Sequence, residues 1–165
     1  MGLVVAGDGP ELVALRAQAG ASGRLEEALG RLEHAKDGDE ECGKGEVAHD
    51  GVRFVGHVDD AQLARLRAGA AIALVPSRSA ETFGLAAAEA MAAGLPVAAS
   101  RVGALPELVD EQGLGPAGDA RALAEAIGRL AGDRVAGERG LERVRAVCSP
   151  DRVAAGLASI YDAAT

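Results

Sequence analysis

Aromatic residues are nearly absent: 165 residues hold no tryptophan, one tyrosine and two phenylalanines. Such a chain has almost nothing on which to stack bases. With a net charge of −8 it also lacks the cationic track that nucleic-acid binding needs. Cysteine is sparse too. Cys42 and Cys148 are far apart, too few for a disulfide scaffold, and read as two free thiols of a reducing compartment. No apolar run approaches the roughly 20 residues that span a bilayer. The opening MGLVVAGDGP has neither the basic n-region nor the cleavage pattern of a signal peptide. The expectation is a cytoplasmic globular domain that binds no nucleic acid.

The acidity is local. Residues 21–50 carry nine Asp or Glu against four Lys or Arg, so global charge says little about a site elsewhere. Within this segment Asp37–Gly51 (DGDEECGKGEVAHDG) is rich in glycine and charge and reads as a flexible acidic insertion. His34, Cys42 and His49 fall in or near it, but their spacing fits no standard metal site, and no metal is expected.

What is present is an alternation of short apolar runs and helical stripes. LVVAG (Leu3–Gly7) predicts a strand, followed by the turn GDGP and a helix from Glu11. VRFVG (Val52–Gly56) predicts a second strand. DAQLARLRAGA predicts a helix with Asp60 as N-cap, and IALVP (Ile72–Pro76) a third strand. The loop SRSAETFG leads into an alanine helix, Ala86–Ala93, that Gly94 ends. LPVAAS predicts a fourth strand, Asp119–Leu130 an Asp-capped helix, and the C-terminal stretch a long helix to Ala164. Strands that are apolar throughout, alternating with helices, predict an α/β fold with a parallel sheet covered on both faces. The chain length suits a single domain, residues 1–165.

The alanine helix, AAAEAMAA, contains one charge, Glu89. A helix apolar all round predicts burial, and a buried carboxylate needs a partner. Glu89 lies near the start of the helix, at the C-terminal side of a strand, where open α/β sheets bind ligands. There a carboxylate can accept hydrogen bonds from vicinal hydroxyls such as those of a ribose. It can equally pair with an arginine of the protein, or face solvent. Gly84 and Leu85 open the helix, and their amides suit a phosphate. Glu81, eight residues before Glu89, lies on the same loop, near whatever is attached beyond that phosphate. The three features together describe a nucleotide-sugar site.

The block PSRSAETFGLAAAEAMAAGLPVAAS resembles the Glu-x7-Glu signature of the retaining GT-B glycosyltransferases of family 4. Glu81 and Glu89 stand at its two glutamates, with Phe83, Gly84, Leu85, Ala90, Met91, Ala92, Gly94, Pro96 and Val97 fitting around them. LVVAGDGPEL, VRFVGHVDDAQL, GALPELV (Gly103–Val109) and SPDRVAAGLASIYDA are similar to other family segments, although Pro150 replaces a usual tryptophan. The resemblance implies a Rossmann-like donor-binding half of a GT-B enzyme, cytoplasmic, or peripheral to a membrane as part of a full enzyme.

By the same resemblance Glu89 would bind the ribose of a nucleotide-diphosphate sugar, which is a substrate, so no cofactor is implied. Glu81 would contact the donor sugar as a positioning group. The amides of Phe83, Gly84 and Leu85 would meet sugar and diphosphate, and Val58 with Asp59 or Asp60 would touch the base.

The match covers the second of the family's two domains. The acceptor domain has no counterpart here, so a separate N-terminal acceptor-binding polypeptide is an implied partner. The opening strand and the G-R-x-x-x-x-K-G segment, whose Arg and Lys clamp the diphosphate, also have none. Arg78 and Arg101 are the nearest cations in sequence, at positions that do not match. In the strand order 3-2-1-4-5-6 that first strand is central, so the strands at Leu3 and Ile72 are expected to lack the neighbour between them. The stretch Val109–Asp119 is short where relatives carry a further small strand. Two functions remain open: an active enzyme completed by the other half, or a nucleotide-binding fragment without turnover. A generic doubly wound ligand-binding domain is the more distant alternative.

Overall fold

The computed structural model describes residues 2–6, 47–49, 51–79 and 81–163. The GDGP turn, the helix expected from Glu11, His34 and Cys42 lie outside the described residues. The chain divides into two compact units, Met1–Leu63 and Ala64–Thr165.

The first unit holds a three-stranded sheet of order β1-β3-β2. β1 (Leu3–Ala6) runs parallel to β3 (Val52–Gly56), and β2 (Val47–His49) runs antiparallel to it. β2 corrects part of the expected acidic loop: the last residues of that stretch form a strand. The cause is local. His49 pairs with Val52, leaving Asp50-Gly51 between them, and an Asp-Gly pair between two β-capable runs is a strong hairpin signal. Gly51 takes φ 83°, as such turns require. β1 differs from the fully covered strand expected: Leu3 and Val4 are 46% and 41% exposed. Among the described residues it has a ladder with β3 alone.

The first helix, α1 (Asp60–Gly69), starts one residue differently from expectation. Its N-cap is Asp59, whose carboxylate accepts from the Gln62 amide at 2.7 Å, while the Asp59 N–H donates to Gln62 Oε1 at 3.2 Å. That reciprocal pair is a capping box, and Asp60 is the first helical residue.

The second unit holds a parallel sheet of order β4-β5-β6, made of β4 (Ala73–Val75), β5 (Val97–Ser100) and β6 (Leu114–Gly115). β6 is the small strand for which Val109–Asp119 looked too short. A 3₁₀ turn at Glu111–Gly113, capped by Asp110, delivers two residues to β5 and suffices. Among the described residues β4, the strand expected at Ile72, pairs with β5 alone.

Helix α2 (Leu85–Ala92) connects β4 to β5. Ala87, Ala88, Ala90 and Met91 pack with Val75, Val97, Ala99 and Leu105 in one apolar cluster. The helix ends in a Schellman motif: Leu95 N–H reaches the Ala90 carbonyl at 3.0 Å and Gly94 N–H that of Met91 at 2.9 Å. α3 is the short turn Leu105–Leu108, with Leu105 fully buried.

α4 (Ala120–Leu130) and α5 (Arg134–Cys148) start at Asp119 and Asp133, whose carboxylates accept from the amides of Ala122 and Ala136 at 2.9 and 3.1 Å. α4 packs on β5 and β6, α5 on α2. Val97 and Ala99 join the α2 cluster, and by the two-residue period of a strand Ala98 and Ser100 face the other way. The sheet therefore carries helices on both faces. Cys148 is half-buried against the core. α6 (Pro150–Ala163) begins at Ser149, whose hydroxyl accepts from Arg152 N–H at 3.3 Å, and buries none of its residues. Among the described residues no helix is long and apolar enough to cross a membrane.

Candidate functional site

The loop after β4 and the start of α2 carry five of the seven residues expected at the site. Gly84 is the N-cap of α2 in a left-handed conformation, φ 83° and ψ 45°, and among the described residues no side chain caps the helix. Ala88 N–H makes the bond back to the Gly84 carbonyl at 2.9 Å. By helix geometry the amides before it have no partner within the helix, and they stand at the positive end of its dipole. Phe83 and Leu85, 47% and 63% exposed, flank this end. An uncapped helix start with exposed apolar neighbours can take an anionic group joined to a less polar one.

Glu81 is half-buried on the same loop. Its carboxylate accepts from the Ser77 hydroxyl at 2.8 Å through Oε2. Its carbonyl accepts from Ala104 N–H at 2.8 Å, tying the loop to the segment ahead of α3. Neither partner was legible in the sequence, since Ser77 and Glu81 share a loop without helical periodicity and Ala104 is remote.

Glu89 corrects the expectation of a buried carboxylate. Its side chain is 52% exposed and accepts from Arg67 Nη2 at 2.5 Å. Leu85, Ala86, Glu89, Ala92 and Ala93 form an exposed stripe along α2. The physical reason is that alanine is the strongest helix former and too small to make exposure costly. A run of alanines marks helix, not burial. Glu89 thus pairs with an arginine and meets solvent at once. It lies four residues after Leu85, on the same side of the helix and roughly 6 Å further along its axis.

Val58 and Asp60 lie in the first unit, on the loop after β3 and at the first position of α1, half-buried and exposed respectively. The Asp59 carboxylate is engaged in the cap. Of the two cations near the motif, Arg101 donates to Glu111. That hydrogen bond raises the arginine above its ordinary range and lowers the glutamate below its own. Arg78 is exposed and makes no ion pair among the described residues. Glu107 is exposed in the single turn of α3. A cavity of about 440 Å³ opens near the other end of α2, lined by Met91, Leu95, Pro96, Leu130, Arg139 and Arg143 among others, and contains none of the residues above.

The sequence profile of the family Glycosyl transferases group 1 matches residues 1–133. The chain is 40% identical over 115 residues to the MMP alpha-(1->4)-mannosyltransferase of Mycolicibacterium hassiacum, covering 65% of this chain and 28% of that protein. It is 41% identical over 101 residues to the phosphatidyl-myo-inositol mannosyltransferase of Mycobacterium leprae, covering 57% of this chain and 27% of that one. Among solved structures, sucrose-phosphate synthase from Thermosynechococcus elongatus superposes with a TM-score of 0.64 at 33% identity, over 99% of this chain and 39% of that one. The chain belongs to the group 1 glycosyl transferases and has the fold of one part of a GT-B enzyme. It spans little more than a quarter of the length of these two curated relatives.

Proposed function

We propose that this chain is the donor-binding part of a retaining glycosyltransferase and binds a nucleotide-diphosphate sugar at the start of α2. The observation that carries the reading is the uncapped, glycine-led helix start with one carboxylate on its approach loop and a second one turn inside. The diphosphate sits on the free amides of the first turn, which need no metal to hold an anion. Glu89 accepts hydrogen bonds from the two ribose hydroxyls. A carboxylate has about four acceptor sites, so the Arg67 bond leaves room for them and fixes the side chain's direction. Glu81 positions the donor sugar. Two of the relatives are named as mannosyltransferases, which favours mannose as the sugar; GDP-mannose and a UDP-sugar are the two donors to test.

Transfer itself also needs cations to stabilise the departing diphosphate. Arg101 is engaged with Glu111 and Arg78 is exposed without an ion pair among the described residues; in the enzyme reading an acceptor-binding partner completes the cationic site. The second reading, binding without turnover, rests on the same fact.

Calorimetric titration of the chain with GDP and UDP tests the binding claim. One nucleotide binds, and Glu89→Ala weakens it about 10- to 100-fold, the worth of hydrogen bonds to a charged group. Unchanged affinity in Glu89→Ala would point instead to a doubly wound domain with a different ligand site.

A further inference from the structure

We infer that Ser77 and Gly103 are positioning residues that fix the direction in which the Glu81 carboxylate is presented to the donor sugar. The inference rests on the donor-binding reading above and adds to it how the second carboxylate is aimed.

Glu81 is held from two directions. On the side-chain end, Ser77 Oγ donates to Oε2 at 2.8 Å, which fixes the direction of the carboxylate and leaves acceptor sites on it. On the backbone end, a methyl group built on Gly103 would lie 2.1 Å from the Glu81 carbonyl oxygen and 2.5 Å from its nitrogen. Main-chain atoms cannot yield as a flexible side chain does, so only glycine lets the two chains approach this closely. Gly103 also has φ 52°, which disfavours any other residue. The next residue, Ala104, donates its N–H to the Glu81 carbonyl at 2.8 Å.

The residue after that, Leu105, is fully buried, and its Cδ2 would stand 2.9 Å from a methyl group on Gly84. Three consecutive residues therefore set the backbone of Glu81 and of the helix start together. The spacing between the sugar-facing carboxylate and the phosphate-facing amides is fixed by one short template, not by the loop between them.

A carboxylate held at one oxygen keeps a fixed direction, and its remaining acceptor sites meet the sugar's hydroxyls from that direction. Loss of the Ser77 hydroxyl frees the carboxylate to rotate, which weakens the sugar contact and leaves the nucleotide contacts alone. The readout is the ratio of affinities for a nucleotide sugar and its bare nucleoside diphosphate, measured by calorimetry with the whole chain for GDP-mannose against GDP and UDP-glucose against UDP.

In the parent the sugar nucleotide binds more tightly than the diphosphate. Ser77→Ala reduces that ratio about tenfold, the scale of one hydrogen bond to a charged group, without altering diphosphate affinity. Ser77→Thr, which keeps the hydroxyl, restores it. In the double variant Ser77→Ala/Glu81→Ala the Ser77 effect disappears relative to Glu81→Ala alone, a coupling that a merely structural serine would not show. Gly103→Ala lowers the ratio and the melting temperature together. A discriminating parent whose ratio is unchanged by Ser77→Ala overturns the positioning role alone. A parent that binds neither diphosphate nor sugar nucleotide, or binds both equally, overturns the reading of the site and this inference with it.

Discussion

Two carboxylates are held by arginines, Glu89 by Arg67 and Glu111 by Arg101. Arg67 is 23% and Glu89 52% exposed, so solvent screens their attraction and the pair contributes less than about 1 kcal/mol to folding. Arg67→Ala is accordingly expected to shift a urea midpoint little, while Glu89→Ala removes the proposed ribose contact. The Arg101–Glu111 pair makes a prediction in pH. The hydrogen bond from Arg101 is the largest cause holding the Glu111 carboxyl below its ordinary 4.5. A value lowered in the folded state gives stability that is present above the unfolded value and lost as the pH falls through the folded one. Glu111 is 76% exposed, so the stability slope is shallow and the better measurement is direct. A carbon-detected NMR titration of Glu111 in Arg101→Ala should show its midpoint moved up from that of the parent; an unmoved midpoint would mean that Arg101 is not the cause. Such partners cannot be read from sequence. Arg67 and Glu89 are 22 residues apart and meet only because α1 and α2 are brought together. The positions of the glutamates on loop and helix were legible; their company was not.

Helix ends were the most legible elements, because their signals are local. Asp119 before α4 and Gly94 after α2 stand where the sequence placed them, since capping depends on residues within one turn. Asp59 rather than Asp60 caps α1 because Gln62 stands three residues after Asp59 and so completes its capping box. β2 was missed although Asp50-Gly51 precedes Val52; the charges around it outweighed a two-residue turn signal.

Glycines at the interface of α2 and α5 give a test of packing against backbone strain. Gly94 has φ 76° with nothing near a methyl group placed on it, so Gly94→Ala costs only the left-handed strain, roughly 1–2 kcal/mol. A methyl group on Gly137 would lie 2.1 Å from the Gly94 carbonyl oxygen. Gly137→Ala therefore has to push α5 off α2, and the expected cost is larger, about 3 kcal/mol. Gly140, whose methyl would meet the Met91 side chain at 3.4 Å, should tolerate alanine within about 1 kcal/mol. Chemical denaturation of the three variants ranks them, and Gly137→Ala milder than Gly94→Ala would contradict the close approach of the two helices.

At the scale of the whole molecule the alternation of strands and helices was legible because fully apolar strands and striped helices are periodic. The division into two compact units was not, because it depends on which strands find a ladder. Among the described residues β1 and β4 each pair with one strand, and no local pattern states how many neighbours a strand has. Function at this scale has to be separated from folding, since the loop that carries Glu81 is also packed against the core through Leu105. A melt with and without nucleotide makes the separation. A ligand that binds only the folded chain at 100 times its dissociation constant adds about 2.7 kcal/mol, which for this size is a rise in midpoint of roughly 5–10 °C. Glu89→Ala, on an exposed stripe, should leave the unliganded midpoint within a degree or two and abolish most of that rise at the same nucleotide concentration. Gly94→Ala should do the reverse: its midpoint falls, and the rise on adding nucleotide is kept. If instead both variants lose stability and ligand response in proportion, the carboxylate acts through the fold, and the ribose contact assigned to Glu89 is wrong.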